Sequence, residues 1–242
     1  MDADPAWSPD ERRLAFTTFR TGRATAFLFD LVSGKEQPLF DMLPAQQPFG
    51  RQDASSLTSL APARIPEGIA VDDWTADGNT LVVRTFGRAV FAVPAQAPRT
   101  PTLLVDTPYV EDQMQVSADG RLIAFNSDES GRWEVYIATF PAFTQKRQVS
   151  SAGGMQPRWR RDGKELFYLA ADGTMMAASV SMAGQPTSGL PEQLFQTHLS
   201  PSPNVPQYDV SADGSRFLVL EPAGAGGEPI TFVLNWAAEL VR

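Results

Sequence analysis

A chain of 242 residues with 43% hydrophobic content can bury one large all-β core or two small ones. Its formal charge of −8 argues against nucleic acid as the main partner, because gripping phosphates takes a basic face. Cysteine is absent, which excludes disulfides and thiolate metal ligands, and no apolar run reaches the roughly 18 residues of a membrane-spanning helix. Met1 to Asp4 carry neither the basic nor the apolar region of a secretion signal.

Along the chain one phrase recurs. Trp7-Ser8-Pro9-Asp10 opens it, and Trp74 to Gly78, Val116 to Gly120, Trp159 to Gly163 and Val210 to Gly214 repeat it. Each Asp-Gly (Asp10-Glu11 in the first copy) predicts a tight turn between two strands, with Asp capping the turn and Gly taking positive φ. Apolar residues follow four and six positions after the turn Asp: Leu14 and Phe16, Leu81 and Val83, Ile123 and Phe125, Leu166 and Tyr168, Phe217 and Val219. That step of two predicts a strand with one dominant buried face. The bulky residue three positions before each Asp predicts packing of one repeat on the next.

A third strand is expected in each copy at Ala26 to Phe29, Ala89 to Val93, Glu134 to Ile137, Met175 to Val180 and Ile230 to Leu234. A short closing strand is expected at Pro38 to Phe40, Thr102 to Val105, Lys146 to Val149 and Gln193 to Phe195, with none in the last copy. Ala237 to Val241 suit one turn of helix. The unit is thus an antiparallel meander of about 40 residues, the signature of a β-propeller blade. A β-sandwich is the alternative, although it does not normally repeat its turn chemistry at this period. The reading is a single all-β propeller domain over 1–242, with blades at about 4–40, 71–105, 113–150, 156–195 and 207–236. Residues 41–70 hold no turn dipeptide and read as an insertion, and Gln196 to Gln207, with its prolines, reads as a long loop. Five turn signals leave open a closed five-bladed ring, a six-bladed ring, or an incomplete ring whose open edges pair with another chain.

These residues resemble the TolB-like (WD-like) propeller repeat, whose blades carry a Trp-Ser-Pro-Asp-Gly turn, over Pro5 to about Leu240. Glu129 to Tyr136, Pro157 to Tyr168 and Pro229 to Leu240 are similar to the propeller that follows the kinase domain in bacterial serine/threonine protein kinases. The resemblance implies an extracytoplasmic or periplasmic sensor or interaction domain, and rings of six blades. It implies no kinase activity, since neither a Gly-rich nucleotide loop nor a His-Arg-Asp loop is present. The family shares no single catalytic set, so no functional residue is carried over.

The residues offer few candidates for chemistry. The single histidine, His198, lies in the proline-rich loop, and no Gly-x-Ser-x-Gly elbow accompanies it, so a loop histidine without catalytic duty is expected. Acidic residues gather at the innermost strands: Asp72 and Asp73, Glu111 and Asp112, Asp209. Asp73 and Asp209 are the candidates for acid/base work on a glycosidic bond, and such carboxylates also suit calcium, against the plainer reading of a solvated acidic rim. Four positions before the turn Asp stand Ala6, Asp73, Gln115, Arg158 and Asp209, and two earlier Asp4, Val71, Gln113, Gln156 and Gln207. Read by alternation, both sets share one polar face toward the channel, the character of a binding rim or of ordinary hydrogen bonding between blades. Arg160, in the basic stretch Arg158 to Arg161, suits a carboxylate or an aromatic partner. Gly224 to Gly227 precede a strand and read as a hairpin loop.

Three functional readings follow. The first is a non-enzymatic propeller binding a protein segment or small ligand at the channel mouth through Asp73, Gln115, Arg158, Arg160 and Asp209, without metal or cofactor. The second is a polysaccharide-active hydrolase or lyase using Asp73 and Asp209. The third is an assembly module acting through open blade edges.

Overall fold

The computed structural model describes residues 2–20, 22, 24–39, 68–86, 89–203, 205–220 and 231–234. Among them every regular element is a strand and every pairing is antiparallel. The first sheet is the meander β1 (Asp2–Trp7), β2 (Arg13–Thr18), β3 (Thr25–Asp30) and β4 (Lys35–Pro38). The second is β5 (Ile69–Trp74), β6 (Thr80–Thr85), β7 (Ala89–Pro94) and β8 (Thr102–Asp106). The third is β9 (Glu111–Val116), β10 (Leu122–Ser127), β11 (Glu134–Thr139) and β12 (Arg147–Gln148). The fourth holds β13 (Gly154–Trp159), β14 (Glu165–Ala170), β15 (Thr174–Ala183), β16 (Gln185–Ser188) and β17 (Glu192–Gln196), and the fifth β18 (Tyr208–Val210), β19 (Arg216–Val219) and β20 (Thr231–Leu234). The chain forms two compact units, Met1–Pro108 with two sheets and Tyr109–Arg242 with three. No helix of the described residues is long and apolar enough to cross a membrane.

Each sheet has the expected order, with two departures. β5 begins at Ile69, inside the stretch read as an insertion, because Ile69 and Ala70 pair with Thr85 and Arg84. Residues 41–67 of that stretch, the Gly224 to Gly227 loop and the helical turn expected at Ala237 to Val241 lie outside the described residues. The fourth sheet has an extra hairpin: β15 runs past its expected end, its first half pairing with β17 and its second half with β16 across a turn at Gly184.

The repeated phrase builds the same turn five times. In four copies a Ser or Thr hydroxyl donates to the turn Asp: Ser8 to Asp10 at 2.5 Å, Thr75 to Asp77, Ser117 to Asp119 and Ser211 to Asp213 at 2.6 Å. The same oxygen accepts the N–H five residues on, from Arg13, Thr80, Leu122 or Arg216. The Asp carboxylate accepts the N–H two residues beyond itself, so three backbone and side-chain groups are satisfied locally. In the fourth copy Arg160 replaces the hydroxyl and grips Asp162 at 2.9 Å and Glu165 at 2.7 Å. Gly78, Gly120, Gly163 and Gly214 take φ of +69 to +76°, and Glu11 takes +57° in the first copy. At Gly214 a side chain is also refused by space, since a Cβ would lie 2.9 Å from Arg160 Cδ of the preceding sheet.

Within each unit the sheets pack face to face. One face of the second sheet, Trp74, Leu81, Val83, Phe91 and Val93, lies on the small-residue face of the first, Ala6, Ala15, Ala26 and Leu28. Trp159, Leu166 and Tyr168 of the fourth sheet lie on Leu122, Ala124, Val135 and Ile137 of the third. Val210, Phe217 and Val219 of the fifth lie on Phe167, Leu169 and Ala177 of the fourth, with Phe167 and Phe217 edge to face at 5.1 Å. In the second, fourth and fifth sheets the bulky residue before the turn, Trp74, Trp159 or Val210, is therefore part of the packing on the sheet before it. Trp7, on the first sheet, is 54% exposed, whereas Trp74 is 5% exposed with its ring under the Arg13 guanidinium.

Trp74→Ala is expected to cost about 3–5 kcal/mol and Trp7→Ala less than about 1 kcal/mol, read as shifts in the urea unfolding midpoint. The turns give a pH dependence. Hydroxyl hydrogen bonds hold Asp10, Asp77 and Asp213 below the carboxylate value of 3.8, and Arg160 does so for Asp162. At Asp119 burial acts upward, but Ser117 and Arg121 outweigh it. Each turn therefore contributes fully above pH 3.8, and that contribution is lost as pH falls through the lower folded values. The urea midpoint is expected to fall below about pH 4, less steeply in Asp77→Asn than in the wild type.

Candidate functional site

The innermost strands do not alternate cleanly. Across β1, β9 and β13 two residues oppose one on the partner strand, and Asp4, Gln113 and Gln156 at these bulges take φ of 50, 51 and 61°. All three stand six positions before the turn Asp. The backbone there leaves the ladder, so the expectation that positions four and six before the turn share one face fails. In β9 it is Asp112 and Gln115 that lie opposite Asn126 and Ala124 on one face, with Gln113 in the bulge between them.

A bulge takes a backbone N–H out of its sheet, and the preceding sheet supplies the acceptor. Thr17 Oγ1 accepts the Val71 N–H at 3.1 Å, and Asn126 Oδ1 accepts the Gln156 N–H at 3.3 Å. Thr17 and Asn126 share one register, seven positions after the turn Asp. The fourth sheet has Leu169 there, which cannot accept, and Gln156 Oε1 takes the duty by accepting the Gln207 N–H at 2.8 Å. In the second sheet the register holds Arg84, a donor, which pairs with buried Asp72 at 3.0 Å. Burial raises the Asp4 carboxyl in the same unit, against the pull of Arg84 and Thr17.

The second unit carries the fullest polar girdle. Gln156 is fully buried, and its Nε2 donates to Ser202 O at 2.9 Å and Gln207 Oε1 at 2.8 Å. Gln207 Oε1 also accepts the Ser202 N–H at 2.9 Å, and the Tyr208 hydroxyl donates to Gln156 O at 2.7 Å. Burial pushes the Tyr208 phenol far above its ordinary range, so it is a neutral donor. The proline-rich loop 200–207 is thereby held by its backbone on one glutamine side chain. Gln113 differs. Its N–H bonds Asp112 Oδ1 at 2.7 Å, but both atoms of its side-chain amide are sealed from solvent with no hydrogen-bond partner among the described residues. The same holds for Asn126 Nδ2.

The residues singled out from sequence are distributed over both units. Gln115 and Arg158, on β9 and β13, are half-buried and are linked across sheets by the Trp159 Nε1–H, which donates to Gln115 O at 3.0 Å. Arg158 bonds Pro157 O at 3.1 Å. Asp209 is exposed and caps the Val210 N–H at 2.8 Å. Asp73 is half-buried in the first unit, and Arg160 is committed to its turn. His198 is exposed, and Glu111 and Asp112 are buried in β9. Among the described residues no group of three His, Asp or Glu side chains is placed to hold a metal ion. The sequence reading missed Asn126 and Thr17 as capping groups; their signal is a polar residue directly after the apolar pair of the second strand in the first and third sheets.

Three solved structures are similar in fold. TolB from Acinetobacter baumannii superposes with a TM-score of 0.65 at 16% identity, covering 90% of this chain and 48% of that one. A protein described as TolB from Agrobacterium tumefaciens gives 0.58 at 18% identity, covering 79% of this chain and 64% of that one. The β-propeller domain of Myceliophteria thermophila Cps50 (Swd1) gives 0.56 at 16% identity, covering 90% and 65%. The chain thus has a TolB-like β-propeller fold and spans about half to two thirds of the length of these neighbours. No family model and no curated protein matches it.

Gln156→Ala removes the acceptor for the Gln207 N–H and the clamp on Ser202. It is expected to cost about 1–3 kcal/mol and to open loop 200–207 to limited proteolysis many-fold faster than in the wild type.

Proposed function

We propose that this TolB-like propeller is a non-enzymatic binding module that takes a protein segment on the inner-strand side of its sheets. One observation carries the reading: bulges at one repeated register turn Gln113 and Gln156 out of the ladder, and Gln156 already uses its amide to bond the backbone of Ser202 and Gln207. Backbone-directed recognition of this kind needs no fixed charge and no reacting atom, which suits an acidic protein whose candidate carboxylates serve turns and strand ends. Gln115 and Arg158 flank the girdle and supply side-chain selectivity, with Arg158 suited to a carboxylate on the partner. In the second unit Asp209 adds an exposed acceptor, and Asp73 is the acceptor we assign in the first. The sensor or interaction role implied by the resemblance to kinase-linked propellers is compatible with this mode.

The test is selection from a phage-displayed peptide library on the immobilised chain. Enrichment of a common motif is expected, with affinity for the wild type falling at least roughly tenfold in Arg158→Ala if an acidic residue recurs in the motif. Selection that returns no motif, together with turnover of a glycan that needs Asp73 and Asp209, would replace this reading with the hydrolase.

A further inference from the structure

Gln113 and Gln156 are the same residue at the same register of adjacent sheets, with nearly the same left-handed backbone, φ 51 and 61°. Both are buried, at 6% and 0% exposure. They differ in one respect. The Gln156 amide is satisfied at both ends by the backbone of loop 200–207, its Oε1 by the Gln207 N–H and its Nε2 by the Ser202 carbonyl. The Gln113 amide has neither partner among the described residues, and Asn126 Nδ2, on the strand beside it, is a second donor in the same condition.

A buried amide that bonds nothing raises the free energy of the protein that carries it, and a non-glycine residue held at positive φ raises it further. Such costs cluster where a ligand removes them. The groups left over define what would do so: two donors and one acceptor, all uncharged, are complementary to the N–H and C=O of a peptide backbone and not to an ion. The molecule itself contains the complement, since loop 200–207 presents one N–H and one C=O to the identical side chain one sheet away.

From these observations we infer that Gln113, assisted by Asn126 Nδ2, is a backbone-reading site for a proline-containing peptide that turns back on itself, its C=O and N–H bound as Gln156 binds those of Ser202 and Gln207. This rests on the binding-module reading above and assigns its ligand class and its central residue.

The probe is an acetylated, fluorescently labelled peptide with the sequence of residues 199–207, titrated against the full chain by anisotropy. Saturable binding is expected. Gln113→Gly deletes the amide while suiting the left-handed backbone, so it should weaken binding roughly tenfold or more with an unchanged or higher thermal midpoint. Asn126→Thr keeps an acceptor for the Gln156 N–H, as Thr17 does for Val71, and removes the spare donor; it should weaken binding severalfold. Wild-type affinity in Gln113→Gly overturns the inference, as does a loss confined to Gln156→Gly, which would mean that the peptide merely replaces the loop. Absence of binding by the wild type also overturns it, and a library-derived motif that still binds would then leave the broader reading standing.

Discussion

Apolar face-to-face packing between successive sheets of each unit is the constraint from which the rest follows. A four-stranded meander has two faces and can bury neither alone. Within each unit Trp, Leu, Phe or Val of one sheet lie on the apolar face of the sheet before it, which is rich in Ala in the first unit and carries Leu, Ile and Phe167 in the second. That fit brings the innermost strands close enough for side chains of one sheet to reach the backbone of the next. The polar girdle is therefore a product of the apolar packing, not an addition to it.

The girdle solves a local problem in several ways. A bulge removes a backbone N–H from its ladder, and burying that group unpaired is costly. Thr17, Asn126 and Gln156 each supply an oxygen, from two different strands and with three different side-chain lengths. The duty is fixed by geometry while the residue that performs it is not. Arg84 shows the other outcome, a donor in an acceptor's register, with its charge neutralised by Asp72.

What the sequence discloses is what depends on short range. The turns are readable because Ser, Asp and Gly sit within one phrase and satisfy one another, and the anchoring of Trp74 and Trp159 is readable because a bulky residue returns at one offset from that phrase. The bulges are not readable by counting: Gln113 and Gln156 look like alternate residues of an ordinary strand, and only their positive φ takes them out of register. The extra hairpin of the fourth sheet escapes for the same reason, since Met175 to Ala183 reads as one strand whichever partner each half chooses. Of the residues proposed for binding, Gln115 and Arg158 lie beside the girdle, while the acids at Asp73 and Asp209 sit apart in different units.

The transferable capping duty bears on how such repeats diverge. When Leu occupies position 169, the lost acceptor is made good by a glutamine on a neighbouring strand, so no single alignment column has to be kept. Substitutions can thus accumulate in pairs that never fall in the same column, and blades drift apart in wording while holding the same contacts. Descent among these modules is then better traced through conserved backbone irregularities than through conserved letters.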